Sequence, residues 1–253
     1  MAGSRAVSDR EPGQVRKEAA LSEAVHAPRT SLAGAETRRA RPGTLHGDGC
    51  TVHIFRRVPE PAPNRSSSFA QGAQVLLAMV AVMWGLEILD VALDHRLDDY
   101  GIEPRDVDAL PGVVSSPFLH AGFGHLIGNT IPFVAMGLAI ALAGAKRLIG
   151  VTVIVGLTAG LGTWLTAGAN TETIGASGLV FGYATYLMTR FFFSRGMFDL
   201  ALGVGVLVLW GASLLASLSP TPGVSWQAHL FGAVGGVVAA RVVGIDSGGE
   251  RAP

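Results

Sequence analysis

This chain of 253 residues has one cysteine and little charge. The single cysteine, Cys50, excludes an intrachain disulfide framework. Charged residues make up 15% of the chain, where a soluble domain of ordinary composition carries about 25%. The shortfall falls mainly after residue 125, and most arginines lie in residues 1–68. The net charge of zero therefore averages two unlike parts. The basic residues of the first part are dispersed and not interleaved with aromatics, which argues against a nucleic-acid partner. No cleavable signal peptide is expected, because the first long apolar run begins only near Ala70. No His-Glu-x-x-His zinc motif occurs either, and three histidines without a committed carboxylate fit zinc poorly. No cofactor and no metal are expected.

Apolar runs dominate the remainder. Six stand out, at about residues 70–89, 126–145, 148–167, 176–193, 200–218 and 226–243. Each is long enough for a helix that crosses the roughly 30 Å hydrocarbon core. Unpaired backbone groups are costly in lipid, so these runs are expected to be helices. Their many glycines suit close helix packing in a bilayer. The predicted fold class is an all-α membrane protein, a six-transmembrane helix bundle. Residues 69–245 form the bundle, 1–68 a disordered cytoplasmic tail, and 246–253 a short cytoplasmic tail. Thr51–Val58 has the composition of an isolated short strand, and Asn64 opens a glycosylation sequon.

Loop charge predicts the orientation. The basic tail, the turn with Lys146 and Arg147, the loop with Arg190 and Arg195, and the end at Arg241 alternate with three other loops. Of those, the acidic first loop holds only Arg96 and Arg105, and the third and fifth loops have no basic residue. The positive-inside rule then places both termini in the cytoplasm, in a multi-pass protein of the bacterial plasma membrane. It also makes glycosylation at Asn64 unexpected. The long first loop carries Val107–Leu110 and Val113–Val114, short apolar pieces that suit a re-entrant or interfacial element. Arg190 is expected to snorkel to the interface.

Polar residues inside apolar runs are functional hypotheses by default. His125 and Asn129 lie four apart near the start of the second run and share a face. Ser177 opens the fourth run, and His229 lies about one turn into the sixth. The topology brings all four to one depth. A serine hydroxyl needs a neighbouring base to become a nucleophile, and a neutral histidine suits that task. Acyl transfer also needs donors for an oxyanion. The Asn129 amide, His125 and the Ser177 backbone N–H at a helix start are candidates. Gly175-Ala176-Ser177-Gly178 is not the hydrolase elbow, since position 179 is Leu and a loop precedes it. Gly178 with Gly182, and Gly232 with Gly236, are small-xxx-small pairs that let the fourth and sixth spans approach backbone to backbone. His120 reads as a structural residue at the cavity rim. Glu87, Asp90 and Asp94 read as an acidic interfacial helix end, and Glu172 as a solvated loop residue.

These residues resemble the rhomboid family of intramembrane proteases. His120, His125 and Asn129 look like its HxxxxHxxxN motif. Gly175-Ala176-Ser177-Gly178 looks like its GxSG, and Ala228-His229 with Gly232 and Gly236 like its AHxxGxxxG. The resemblance covers about residues 70–243. It implies cleavage of transmembrane protein substrates, in or near their membrane helix, by a Ser–His dyad with no third carboxylate. It carries over Ser177 as nucleophile, His229 as base, and His125 with Asn129 as oxyanion donors. The family's first-loop Trp-Arg pair is absent, since no Trp lies between Glu87 and Ala121. Phe181 stands where some members carry a Tyr packed on the histidine. The competing readings are a catalytically inactive relative that binds membrane helices, a transporter with a midplane polar site, and a metalloprotease.

Overall fold

The structure is a computed structural model, and it describes residues 65–243. The Thr51–Val58 strand, Cys50, Asn64 and the expected tails lie outside the described residues, except that residues 65–68 of the first tail belong to a helix. Six long helices carry the fold: α1 Arg65–Ala92, α2 Phe123–Ala141, α3 Ala145–Thr166, α4 Ser177–Ser194, α5 Met197–Ala216 and α6 Trp226–Val242. They coincide with the six apolar runs to within a few residues. Four of them, α1 from Ser66, α2, α3 and α5, are long and apolar enough to cross a membrane by length and composition. α4 and α6 are shorter, at 18 and 17 residues, and their polar and glycine positions dilute their hydropathy.

The two less apolar helices are the ones that pack most intimately. α4 buries nine of its 18 residues, on every side. Its contact with α6 is made through glycines. A β-carbon on Gly182 would stand 2.9 Å from the Gly232 carbonyl oxygen, and one on Gly232 would collide with the Gly178 carbonyl. With no side chains between them, the two backbones meet directly, as small residues permit in bilayers. α3 covers α6 from another side, where Phe231 sits against Gly162. Around α4 the core is filled by Leu126, Phe133 and Met136 of α2 and by Val151 and Val155 of α3. The ring of Tyr183 stacks on Phe133, 5.2 Å between centroids, and its hydroxyl is hydrogen-bonded to Thr152. A buried phenol is thereby satisfied, as a low-dielectric interior requires.

The first loop folds into short pieces. A 3-10 turn spans Asp98–Tyr100, a one-turn helix Gly112–Ser115, and a second 3-10 turn Ser116–Phe118. Val113 is buried against α3 at Gly160, whereas Val107 and Val114 are exposed. The loop is tied to its neighbours by backbone. Ile102 and Thr173 exchange two hydrogen bonds of 2.9 and 3.1 Å. Arg105 donates to the carbonyl of Ala167 at 2.8 Å, and the Trp164 indole donates to the Asp106 carbonyl at 2.7 Å.

Two charged residues sit differently from the expectation. Glu87 and Asp90 are 1% and 2% exposed, so they turn into the bundle rather than forming an interfacial acidic face. The Asp90 carboxylate accepts the Leu97 N–H at 2.7 Å and pairs with His95 at 3.1 Å, so the chain after α1 folds back over it. Arg190, near the end of α4, is paired. Its Nε stands 3.0 Å from Asp199, its guanidinium donates to the Tyr186 hydroxyl at 2.7 Å, and its side chain is 15% exposed. The partner lies nine residues on, across the α4–α5 turn.

Candidate active site

The site forms where α2, α4 and α6 begin. Ser177 is the first residue of α4, so its N–H is among the first-turn donors without an intrahelical partner. The turn before it is pinned at two points. The Gly175 N–H donates to the Ser116 carbonyl at 2.8 Å, and the Ala176 N–H donates to His120 Nε2 at 3.4 Å. Gly175 has φ of 116°, which side chains rarely adopt, and a β-carbon there would meet His125 at 2.6 Å. A bare backbone at 175 thus lets His125 and Asn129 lie against the chain two residues before Ser177.

His229 is placed by the start of α6. Ser225 caps that helix, its hydroxyl accepting the Ala228 N–H at 3.4 Å. The imidazole is then held by three contacts. Nε2 lies 2.9 Å from Ser177 Oγ, Nδ1 lies 2.8 Å from the Ser217 carbonyl, and the ring stacks on Phe181. A carbonyl can only accept, so Nδ1 carries the proton and Nε2 of the neutral ring is the acceptor. The Ser177 hydroxyl therefore donates to His229. Phe181 is four residues after Ser177 and shares its face of α4. The side chain that orients the imidazole and the hydroxyl that meets it come from the same helix.

His125, Asn129, Ser177, Phe181 and His229 line one cavity of about 710 Å³, closed on the α5 side by Trp210 and Leu214. Asn129 is 7% exposed, and its Nδ2 is buried without a hydrogen-bond partner among the described residues. A second cavity, of about 450 Å³, shares His125, Ile174 and Ser225 with the first and extends along the loops to Glu172. His120 is 1% exposed and meets His125 edge to face, with centroids 5.2 Å apart. Burial, and next the neighbouring His125, pull its pKa down to about 4. Glu172 is exposed in its loop, as expected. It also accepts the Gly101 N–H at 3.1 Å, and partial desolvation, with nearby carboxylates, pushes its pKa up.

The sequence matches the Rhomboid domain over residues 109–245. It is also 38% identical over 217 residues to uncharacterized proteins of Mycobacterium bovis and Mycobacterium tuberculosis, covering 81% of this chain and 90% of each relative. An uncharacterized protein of Mycobacterium leprae is 38% identical over 202 residues, covering 77% of this chain and 80% of that protein. The chain belongs to the rhomboid family. It is a multi-pass integral membrane protein.

Within this rhomboid, the structure brings together Ser177, His229, His125, Asn129 and Phe181 around one cavity. His120 and Gly175 shape the turn that precedes Ser177, and Gly178, Gly232 and Gly236 set the α4–α6 approach. Reasoning from sequence missed three contributors. Ser217 acts through a backbone carbonyl, which leaves no trace in residue type. Ser116 does the same for Gly175. Trp210 reads as one more apolar residue of a span, and nothing in its neighbourhood marks it as cavity lining.

Proposed function

We propose that this rhomboid is an intramembrane serine endopeptidase that cuts transmembrane protein substrates in or near their membrane helix. The observation that carries the proposal is the 2.9 Å approach of the Ser177 hydroxyl to His229 Nε2, with Nδ1 engaged by the Ser217 carbonyl. In the first step Ser177 Oγ bonds to the scissile carbonyl carbon and its proton passes to Nε2. The carbonyl oxygen becomes an oxyanion beside the Asn129 amide, His125 and the Ser177 N–H. The orphaned Asn129 Nδ2 supports this role, since such a donor awaits an acceptor. The C–N bond then breaks, and the leaving amine takes the proton from His229. Water attacks the acyl ester, again giving its proton to Nε2, and Ser177 is released with its hydroxyl restored.

The Ser217 carbonyl supports the imidazolium formed in each half-reaction and takes the place that a carboxylate holds in a triad. The substrates are membrane proteins entering from the bilayer. The basic loops support cytoplasmic termini, in a bacterial plasma membrane. Residues 69–245 are the protease domain in this reading, flanked by the tails. A fluorophosphonate probe tests it. Wild type labels covalently and Ser177→Ala does not; equal labelling of both removes Ser177 from its role.

A further inference from the structure

The C-terminal end of α1 buries a carboxylate with nothing to bind. Glu87 is 1% exposed, and neither of its oxygens has a hydrogen-bond partner among the described residues. The Gly122 backbone lies near it, but not in hydrogen-bond geometry. Asp90, one turn further on, shares its face of the helix and is equally buried. The charges that act on Glu87 are those of Asp90, Asp98 and His95, with no Arg or Lys among them. Three carboxylates thus meet one imidazole. A buried charge is costly unless it is paired or holds a metal.

The chain after α1 completes the cluster. Asp94 and His95 have φ of 54° and 60°, a left-handed conformation that reverses the chain over the helix end. The Leu97 N–H engages Asp90 Oδ1 at 2.7 Å, and His95 Nδ1 stands 3.1 Å from Asp90 Oδ2. Asp98 Oδ1 is buried and has no hydrogen-bond partner among the described residues. One donor atom each from Asp90, His95 and Asp98 lie within 4.8 Å of one another. Ligands on a tetrahedral zinc ion, at about 2.0–2.2 Å from it, stand roughly 3.4 Å apart. A modest rotation of His95, whose side chain is 53% exposed, brings the set onto one ion. The exposed imidazole also marks the route from solvent.

We propose that Asp90, His95 and Asp98, with Glu87 as fourth ligand, hold a divalent transition-metal ion, best matched by Zn2+, that staples the first loop to α1. One imidazole nitrogen and carboxylate oxygens suit Zn2+, whereas Ca2+ and Mg2+ take oxygen ligands. The Leu97 N–H orients the Asp90 carboxylate from outside the ligand set. Ligation needs a bare His95 Nδ1 and ionised carboxylates, so uptake of the ion releases protons. None of the four residues lines the cavity around Ser177. The site is therefore separate from the dyad and does not depend on the protease reading. Its role is structural, and it fixes Asp98, which borders the smaller cavity.

The test uses the full chain in detergent, stripped with EDTA, titrated with Zn2+ by calorimetry and melted with and without the ion. The inference expects a saturable Zn2+ site. At about 100-fold excess over Kd it expects the thermal midpoint to rise by about 5 °C or more, with no rise from Ca2+ or Mg2+. His95→Gln, Asp98→Asn and Glu87→Gln each weaken binding by roughly 10-fold or more and lose the rise. Without the ion, Glu87→Gln unfolds at or above the wild-type temperature, since it removes a buried charge that has no partner. A carboxylate with a merely structural role would instead lose stability in that state. His125→Gln, in the cavity, keeps both the binding and the rise. His95→Gln, at the exposed rim, carries the test if a buried variant does not fold. No saturable uptake, uptake undiminished in the cluster variants, loss in His125→Gln alone, or a rise from Ca2+ in place of Zn2+ overturns the inference.

Discussion

The rings of Phe181 and His229 lie face to face, with centroids 4.2 Å apart and planes 6° from parallel. One face of the imidazole is therefore covered, and the ring keeps only in-plane freedom. The two nitrogens spend that freedom on Ser217 and Ser177. Aromatic stacking of this kind is worth about 0.5–1.5 kcal/mol beyond area burial. Phe181→Leu keeps most of the volume and loses the stack. Probe labelling of Ser177 is expected to slow by about 10-fold or less, while Phe181→Tyr retains the wild-type rate. A Leu variant as fast as wild type would show that the stack has no orienting role.

The α4–α6 approach has no room for a side chain. Gly232→Leu forces the helices apart at the level of the Gly178 carbonyl, and overpacking alone costs about 1–3 kcal/mol. The dyad separates with the backbones. Gly232→Leu is expected to lower the thermal midpoint in detergent and to abolish labelling, and Gly178→Leu to do the same. Gly85→Ala is the control, because a β-carbon there meets nothing within 4 Å. Full labelling of Gly232→Leu would contradict the close-packed seam.

Asn129 separates function from stability. Its Nδ2 has no hydrogen-bond partner among the described residues, so deleting it removes an unsatisfied buried donor, a change that costs little. Loss of one oxyanion donor, by contrast, costs about 100- to 1000-fold in kcat. Asn129→Ala is expected to unfold at or near the wild-type temperature while turnover falls by that factor. A stability loss that matches the activity loss would make Asn129 a packing residue.

Acid acts on this protein through two histidines. Activity is expected to fall as His229 takes a proton, because an imidazolium cannot accept one from Ser177. A profile that stays flat well below pH 5 contradicts a histidine base.

His120 governs stability over a defined window. Its folded pKa is lowered from 6.5 to about 4, so the neutral form is the one that the fold favours. Its contribution is complete above pH 6.5 and declines as pH falls toward 4, since the unfolded chain binds the proton first. The shift sets an upper bound on the order of 3 kcal/mol. Protonation also takes the Nε2 lone pair from the Ala176 N–H. Chemical unfolding at pH 7 and pH 4.5 should show a loss that His120→Gln lacks. Equal losses in both proteins would assign the effect to other groups.

Helix count and site composition were legible because both depend on local features. An apolar run of span length declares a helix whatever its neighbours are. The spacing of His125 from Asn129, of Ser177 from Phe181, and of Gly232 from Gly236 declares shared faces through the helical period. Charged residues were less legible. Arg190 has the pattern of an interfacial cation, and that pattern does not reveal its partner Asp199, which the α4–α5 turn brings beside it. Glu87 and Asp90 have the pattern of a solvated helix end. The chain after α1 decides otherwise by folding back, with Leu97 and His95 bonded to Asp90.

By itself the order of residues determined six helices, the faces they present, and the presence of a hydroxyl, an imidazole and amide donors near three helix starts. Which nitrogen of His229 holds the proton was decided by the tertiary structure alone. That choice depends on a carbonyl twelve residues away on another helix, and every residue has a carbonyl. Side-chain chemistry is written in residue types, whereas backbone chemistry becomes specific only when the fold brings one peptide group, out of many alike, to the right place.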